Sequence, residues 1–292
     1  MGSIFGGRGQ AAGRIALGAL LLVAQGSALA AHKQRHSDDF KSDAVLVIDQ
    51  DSGETLAAKN ADTAMPIASL TKLMTAMVVL DAHQAPDEIL EVTGDDIDPN
   101  KPTPSRLRVG TRLRRDDLLL LALMASENRA AMALSRNYPG GRPGFIAAMN
   151  AKALSLGMQQ THFADPAGLS SHSVSSARDL HRLVSAASKE PVIRDYSTRP
   201  DHTVMVGKRK MRFISSNRLV RHSGRWDIEL QKTGFTNEAG RCLVMLANVA
   251  NRRVAMIFLN SFGKLTRYGD ASRVRQRVEH DPHRTVSAAV MP

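Results

Sequence analysis

The sequence predicts an α+β fold: one antiparallel sheet flanked by helices, with a mostly helical second lobe. Three observations predict it. Near the start, Ala44-Val45-Leu46-Val47-Ile48 is a short apolar run followed by the turn residues Asp51-Ser52-Gly53. The middle of the chain holds apolar segments long enough for helices. The last third holds three strand-like runs separated by short polar turns. The simplest packing joins the strands from both ends in one sheet, with a cleft between sheet and helices as the natural site. A length of 292 residues is ample for such a core, and 43% hydrophobic with 23% charged residues excludes a disordered chain. No internal repeat or long low-complexity tract is visible.

The first thirty residues form a leader. Arg8 and Arg14 precede the apolar run Ile15 to Val23, no acidic residue occurs before it, and small residues end at Ala28-Leu29-Ala30. This reads as a secretory signal peptide over 1–30, cleaved after Ala30. A retained membrane anchor is the alternative, and the apolar run is short for it. Residues 31–42 are polar and read as a flexible mature N-terminus.

The strand over Ala44–Ile48 returns through the turn into Glu54–Ala58 as a hairpin. Pro66 to His83 reads as a helix, apolar on most faces and therefore buried. Residues 86–114 are rich in Pro, Gly and charge, and read as irregular or short strands. Asp116 to Met124 is an apolar helix broken at Ser126-Glu127-Asn128. Arg129 to Tyr138 is a second helix, ended by Pro139-Gly140-Gly141, and Phe145 to Leu156 a third, ended by Gly157. Ser175 to Asp179 carries a helix-start signal for a helix running to about Ser188. Ile228–Gly234, Arg241–Val249 and Arg253–Leu259 are the closing strands, and Asp270 to Glu279 is a basic amphipathic helix.

The net charge is +11, or +9 once Arg8 and Arg14 leave with the leader. A basic chain suggests an anionic partner. Nucleic acid is excluded as the reading, because the Lys and Arg residues are scattered, only three Tyr and one Trp are present, and no binding motif stands out. For an exported protein, peripheral association with an anionic wall or membrane surface fits better. The single cysteine, Cys242, lies in an apolar run and reads as a buried hydrophobe rather than a nucleophile.

Three short motifs carry chemistry. Ser69-Leu70-Thr71-Lys72 places a serine and a lysine one helical turn apart on one face. A serine hydroxyl is a weak nucleophile until a base takes its proton, and a lysine serves if burial or a nearby cation lowers its pKa. The apolar helix supplies burial, and Lys232 is the candidate cation. Ser126-Glu127-Asn128 follows 57 residues after Ser69. Its serine can relay a proton to a leaving amine, and its asparagine offers a donor and an acceptor to an amide. Lys232-Thr233-Gly234 follows 106 residues after Ser126, at the end of a predicted strand. Lysine and threonine there can hold a carboxylate, and the glycine admits a substrate backbone. The backbone N–H groups of Ser69 and Phe235 can form an oxyanion hole.

A chain of this length holds about one Ser-x-x-Lys and one Ser-x-Asn by accident, while Lys-Thr-Gly occurs in roughly one chain in ten or fewer. Ser215-Ser216-Asn217 is such a second Ser-x-Asn and is taken as chance. The bland alternative makes Lys72 a snorkelling surface lysine and Ser126 a loop cap. Order, spacing and context of all three motifs together argue against it. Asp165-Pro166-Ala167-Gly168-Leu169 is either an ordinary turn or a border of the cleft, with equal weight.

The triple motif is shared by class A β-lactamases and penicillin-binding proteins. The stretches ASLTKLMTAMVVLDA, LLLLALMASENRAA, FIAAMNAKALSLGM, ADPAGLS and LQKTGFTNEAGRCLVM resemble the low-molecular-mass penicillin-binding proteins, the serine D-alanyl-D-alanine peptidases. Within these the sequence resembles the D-alanyl-D-alanine endopeptidase subgroup most. The likeness runs from about Ala44 to the last helix. It implies a β-lactamase/D,D-peptidase-like fold, a peptidase domain over 43–285 with a helical lobe inserted at roughly 85–190, and a tail over 286–292. It implies that Ser69 is the acylated nucleophile, Lys72 its base and Ser126 a proton relay. Asn128, Lys232, Thr233 and Gly234 then bind substrate. The implied partners are peptidoglycan peptides and β-lactam antibiotics as inhibitors, the implied location the periplasm, and no metal or cofactor is required.

Two departures lean towards endopeptidase over carboxypeptidase action. Glu127 stands where many carboxypeptidases of the group carry a smaller residue or Asp. The chain also ends 58 residues after Gly234, without the C-terminal β domain and anchor of those relatives. Three rivals are weighed. A class A β-lactamase carries a deacylating glutamate in a Glu-x-x-Leu-Asn segment, whereas Gln159 to Pro166 here has none. A metallopeptidase lacks support because no His-Glu-x-x-His occurs and His172 and His181 have no zinc-pair spacing. A non-catalytic wall-binding module fits the charge but not the intact motif set.

Overall fold

The structure is a computed structural model describing residues 1–3, 40–99, 101, 103–221, 224 and 226–280. The predicted cleavage site, nearly all of the leader, residues 31–39 and the 286–292 tail lie outside the described residues. From Phe40 on, the chain forms one unit.

In chain order this unit opens with β1 (Ser42–Asp49) and β2 (Thr55–Lys59), then a two-residue strand β3 (Met65–Pro66). A 3-10 turn over Ala68–Leu70 leads into α1 (Thr71–Asp81). The charged stretch that follows contains β4 (Ile89–Glu91) paired with β5 (Arg112–Arg114). Then come α2 (Arg115–Met124), α3 (Asn128–Arg136) and α4 (Gly141–Ser155). β6 (Val174–Ser175) pairs with β3, and α5 (Ala177–Ala187) starts at Ser176, whose side chain accepts from the Asp179 N–H. α6 (Pro191–Thr198) follows with Pro191 in its first turn, where its missing N–H costs nothing. A hairpin of β7 (Asp201–Val206) and β8 (Arg209–Ile214) and a short α7 (Arg218–Arg221) precede the closing strands. These are β9 (Asp227–Thr236), β10 (Gly240–Val249) and β11 (Arg252–Ser261), and α8 (Thr266–Glu279) ends the described chain.

The main sheet has the order β2-β1-β11-β10-β9, so strands from both ends of the chain meet in its centre, as the sequence predicts. All its pairings are antiparallel, with Ser42 opposite Ser261 and Asp49 opposite Val254 across the β1–β11 junction. The β10–β11 turn is the two residues Ala250 and Asn251, both at positive φ, which is the twist-matched geometry for a two-residue hairpin.

The strands read as continuous apolar runs because the sheet is covered on both faces. Side chains alternate between two cores. Ala44, Leu46, Val244, Leu246, Ile257 and Leu259 face the large core built with α1 to α5. Val45, Val47, Leu243, Met245, Met256 and Phe258 face a smaller one closed by Tyr268, Ala271, Val274 and Val278 of α8. Each fully buried aliphatic side chain contributes about 1.5–3 kcal/mol relative to exposure. Asp270 of α8 fastens the start of β1 by accepting from the Ser42 N–H (3.0 Å) and Ser42 Oγ (2.6 Å).

Candidate active site

The predicted helix over Pro66–His83 divides into β3, the 3-10 turn and α1, and Ser69 sits in the turn immediately before α1. Two unusual backbone positions hold it there. Ala68 adopts φ +47°, a left-handed conformation costly for a residue with a Cβ. Gly168, at φ +74°, lies so close that a Cβ on it would sit 1.9 Å from the Ala68 oxygen. Thr71 Oγ1 donates to that oxygen at 2.8 Å.

Lys72 is fully buried, so it is not a snorkelling surface residue. Its Nζ donates to Ser69 Oγ at 2.9 Å, to Asn128 Oδ1 at 2.7 Å and to the Ala167 carbonyl at 2.7 Å. Ser69 Oγ also lies 3.4 Å from the Ala167 oxygen. Burial lowers the Lys72 pKa from the usual 10.5 to about 7, against the opposing charges of Asp165 and Glu127. Lysine and serine are therefore in hydrogen-bond contact, with the amine half neutral near pH 7.

Ser126 lies between α2 and α3 at φ +61°, a second strained non-glycine residue at the site. Its Oγ accepts from Lys232 Nζ at 2.8 Å. Lys232 is also fully buried, and its second acceptor is the Thr233 carbonyl at 3.0 Å. Its pKa falls well below the usual value through burial and the charge of Lys72. Of the two causes the sequence offered for a lowered Lys72, burial by the apolar helix and Lys232 as a cation, burial is the leading one. Asn128 opens α3 and donates its Nδ2 to Thr103 Oγ1 at 2.9 Å. Glu127 is the N-cap of that helix, and its side chain accepts from the Arg129 N–H.

β9 is an edge strand of the sheet, and it carries Lys232, Thr233, Gly234 and Phe235. The structure gives Gly234 a reason of its own. A Cβ there would meet the Ile67 oxygen at 3.0 Å and the Ser69 nitrogen at 3.1 Å, so glycine lets β9 approach the turn that carries Ser69. That approach brings the Ser69 backbone N–H next to the Gly234–Phe235 segment. The Phe235 ring is half exposed, with the Arg241 guanidinium 4.2 Å above its centroid.

One part of the site escaped the sequence reading, and another was left open there between an ordinary turn and a border of the cleft. Ser216, taken there as part of a chance motif, accepts from Thr233 Oγ1 at 2.7 Å. The Asp165–Leu169 segment borders the site through the Ala167 carbonyl, and Thr75 Oγ1 of α1 ties it down by donating to the Pro166 oxygen at 2.6 Å. Cys242 lies opposite Gly234 on the neighbouring strand, buried, with its thiol donating to the Ala239 carbonyl and pushed up to about 11 by burial. Among the described residues, no cluster of three or more His, Cys, Asp or Glu is arranged to hold a metal ion, and no helix is long and apolar enough to cross a membrane.

Beside this geometry stands a match of the sequence to a known family over most of its length. The peptidase S11 family of D-alanyl-D-alanine carboxypeptidases matches residues 31–263. The chain belongs to this family. The D-alanyl-D-alanine endopeptidase of Pseudomonas aeruginosa is 46% identical over 253 residues, covering 86% of this chain and 81% of the relative. The D-alanyl-D-alanine endopeptidase of Escherichia coli is 44% identical over 255 residues, covering 87% and 82%. Among solved structures, penicillin-binding protein D2 of Listeria monocytogenes in its cefotaxime-bound form superposes with a TM-score of 0.71 at 31% identity, covering 81% of this chain and 96% of that one. The α+β architecture, an antiparallel sheet with helices, is thus that of the family's penicillin-binding members, and the chain is of the serine D-Ala-D-Ala peptidase type.

Proposed function

We propose that this protein is a serine D-alanyl-D-alanine endopeptidase that hydrolyses peptide cross-links of peptidoglycan through an acyl-enzyme on Ser69. The observation that carries the reading is the fully buried Lys72, whose amine lies 2.9 Å from Ser69 Oγ and titrates near 7. The neutral amine takes the Ser69 proton as Oγ attacks the carbonyl carbon of the D-alanyl residue. The Ser69 and Phe235 N–H groups stabilise the oxyanion. As the tetrahedral intermediate collapses, the C–N bond breaks and the leaving amine takes a proton through Ser126. Water then cleaves the ester and frees Ser69.

Lys232 and Thr233 bind the substrate carboxylate in this reading, and Ser216 extends that set. Lys232 is buried with only neutral acceptors in hydrogen-bond reach, so an incoming carboxylate supplies the missing counter-charge. Asn128 is placed to meet the substrate amide. β-Lactams acylate the same serine, in keeping with the cefotaxime-bound relative. Their release is slow, because the one carboxylate of the 159–166 region, Asp165, spends both oxygens on its own loop and offers none to a deacylating water. The leader supports export to the periplasm, where this substrate lies.

Terminal D-Ala removal is the second reading, favoured by the family's carboxypeptidase description. The test is incubation with cross-linked muropeptide dimers and with monomeric pentapeptides, read by mass spectrometry beside a Ser69→Ala control. Dimers falling to monomers with pentapeptides intact is the expected result. Pentapeptides losing one D-Ala with dimers intact overturns it in favour of a carboxypeptidase.

A further inference from the structure

As the ammonium, Lys72 has an acceptor for each of its three protons, and one of these is a backbone carbonyl rather than a side chain. The Ala167 oxygen lies 2.7 Å from Lys72 Nζ and 3.4 Å from Ser69 Oγ, so it faces both members of the reacting pair. A carbonyl can hold that position only if the loop carrying it is rigid. Asp165 supplies the rigidity. Its Oδ1 accepts from the N–H groups of Ala167 (2.8 Å), Gly168 (2.5 Å) and Leu169 (3.1 Å). Its Oδ2 accepts from the Ser170 N–H and from Ser173 Oγ, both at 3.0 Å. Five donors on one carboxylate wrap four consecutive peptide units around it. From the other side, Asn150 of α4 brackets the Phe163 peptide, accepting from its N–H at 2.9 Å and donating to its carbonyl at 2.8 Å.

We propose that Asp165 is a positioning residue of the reaction: by gathering the 167–170 backbone it fixes the Ala167 carbonyl as the third acceptor of Lys72 and keeps Nζ aligned on Ser69 Oγ. The inference rests on Ser69 as nucleophile and Lys72 as base. Geometry also predicts an electrostatic consequence. The groups facing Lys72 are Ser69 on the preceding turn, Asn128 and the anionic Glu127 at the start of α3, Ala167 and the anionic Asp165 on the loop, and the amine of Lys232 on β9. Removing the charge of Asp165 takes away one of two anions that favour the lysine ammonium, so the neutral base persists to lower pH.

The experiment measures single-turnover acylation of the purified protein by a fluorescent penicillin, across pH 5 to 9. It separates the acylation rate constant from the affinity of the initial non-covalent complex. For Asp165→Asn the rate constant is expected to fall about 10- to 100-fold, the scale of a small misplacement of a reacting group, with affinity nearly unchanged. The pH midpoint of its rate moves to lower pH. Asp165→Glu keeps the charge but not the reach, and is expected to lose rate without moving the midpoint. Ser173→Ala removes one of the five donors and guards against misfolding of the other variants; a modest loss of rate is expected. Wild-type rates and an unmoved midpoint in all three variants overturn the inference. The Ser69→Ala control separates this from failure of the underlying reading: if it still acylates, the nucleophile is wrong and Asp165 is not at fault.

Discussion

Two lysines with no exposed surface set the chemistry at the residue scale. Lysine is among the side chains least often buried, and neither lysine has a carboxylate in hydrogen-bond contact. The result at Lys72 is a pKa of about 7. Because the neutral amine is the base, the acylation rate of the wild type should climb through about pH 7 and level off above it. The same shift has a stability signature with a definite sign. Between about pH 7 and the ordinary lysine value the unfolded chain binds more protons than the folded one, so stability due to Lys72 rises with pH across that window. Thermal melts of Lys72→Met and wild type should show the wild type gaining on the variant as pH goes from 7 to 10. A constant difference would mean that Lys72 keeps its ordinary pKa. The residue types were legible in the sequence, since serine and lysine three apart on an apolar segment already imply a buried base. Both burial at Lys72 and a cation at Lys232 were legible as causes, and because they act in the same direction only the packing ranks them.

At the scale of elements, the site depends on close backbone approaches that side-chain patterns do not encode. Ser69 is presented by a strained turn at Ala68, pressed between Gly234 of β9 and Gly168 of the loop before β6. Gly168→Ala would place a methyl group inside the Ala68 carbonyl, at a φ that disfavours any side chain. It should cost at least about 2–3 kcal/mol in denaturant melts and lower acylation as well. A fully stable, active variant would show that the loop can withdraw. The main strands and helices were read to within a few residues, because apolar runs and Gly and Pro stops mark them. α6 and the β7–β8 hairpin went unread. Their sequences, such as Asp201–Val206 and Arg209–Ile214, mix charged and apolar residues with little buried surface, which leaves no strong period. Ser216 became visible as a site residue only once that hairpin delivered it to Thr233.

At the scale of the whole molecule, the reaction centre gathers pieces far apart in sequence. The turn before α1, the α2–α3 break, the loop at Asp165 and the edge strand β9 meet at two amine groups. The order of the motifs foretold this meeting, and the loop was left open between a turn and a border of the cleft, because its contribution is a backbone carbonyl that any residue could supply. The sheet makes the meeting possible: its order brings β1 and β11 side by side and leaves β9 at one margin, where Lys232 reaches Ser126 at the α2–α3 break. The most direct measurement is where a penicillin becomes attached. The protein is treated with benzylpenicillin, its intact mass is recorded, and the modified peptide is mapped, with Ser69→Ala alongside. A single long-lived adduct on the peptide containing Ser69, absent from the variant, is the predicted result. An adduct on another residue, or one that persists in Ser69→Ala, would contradict the account.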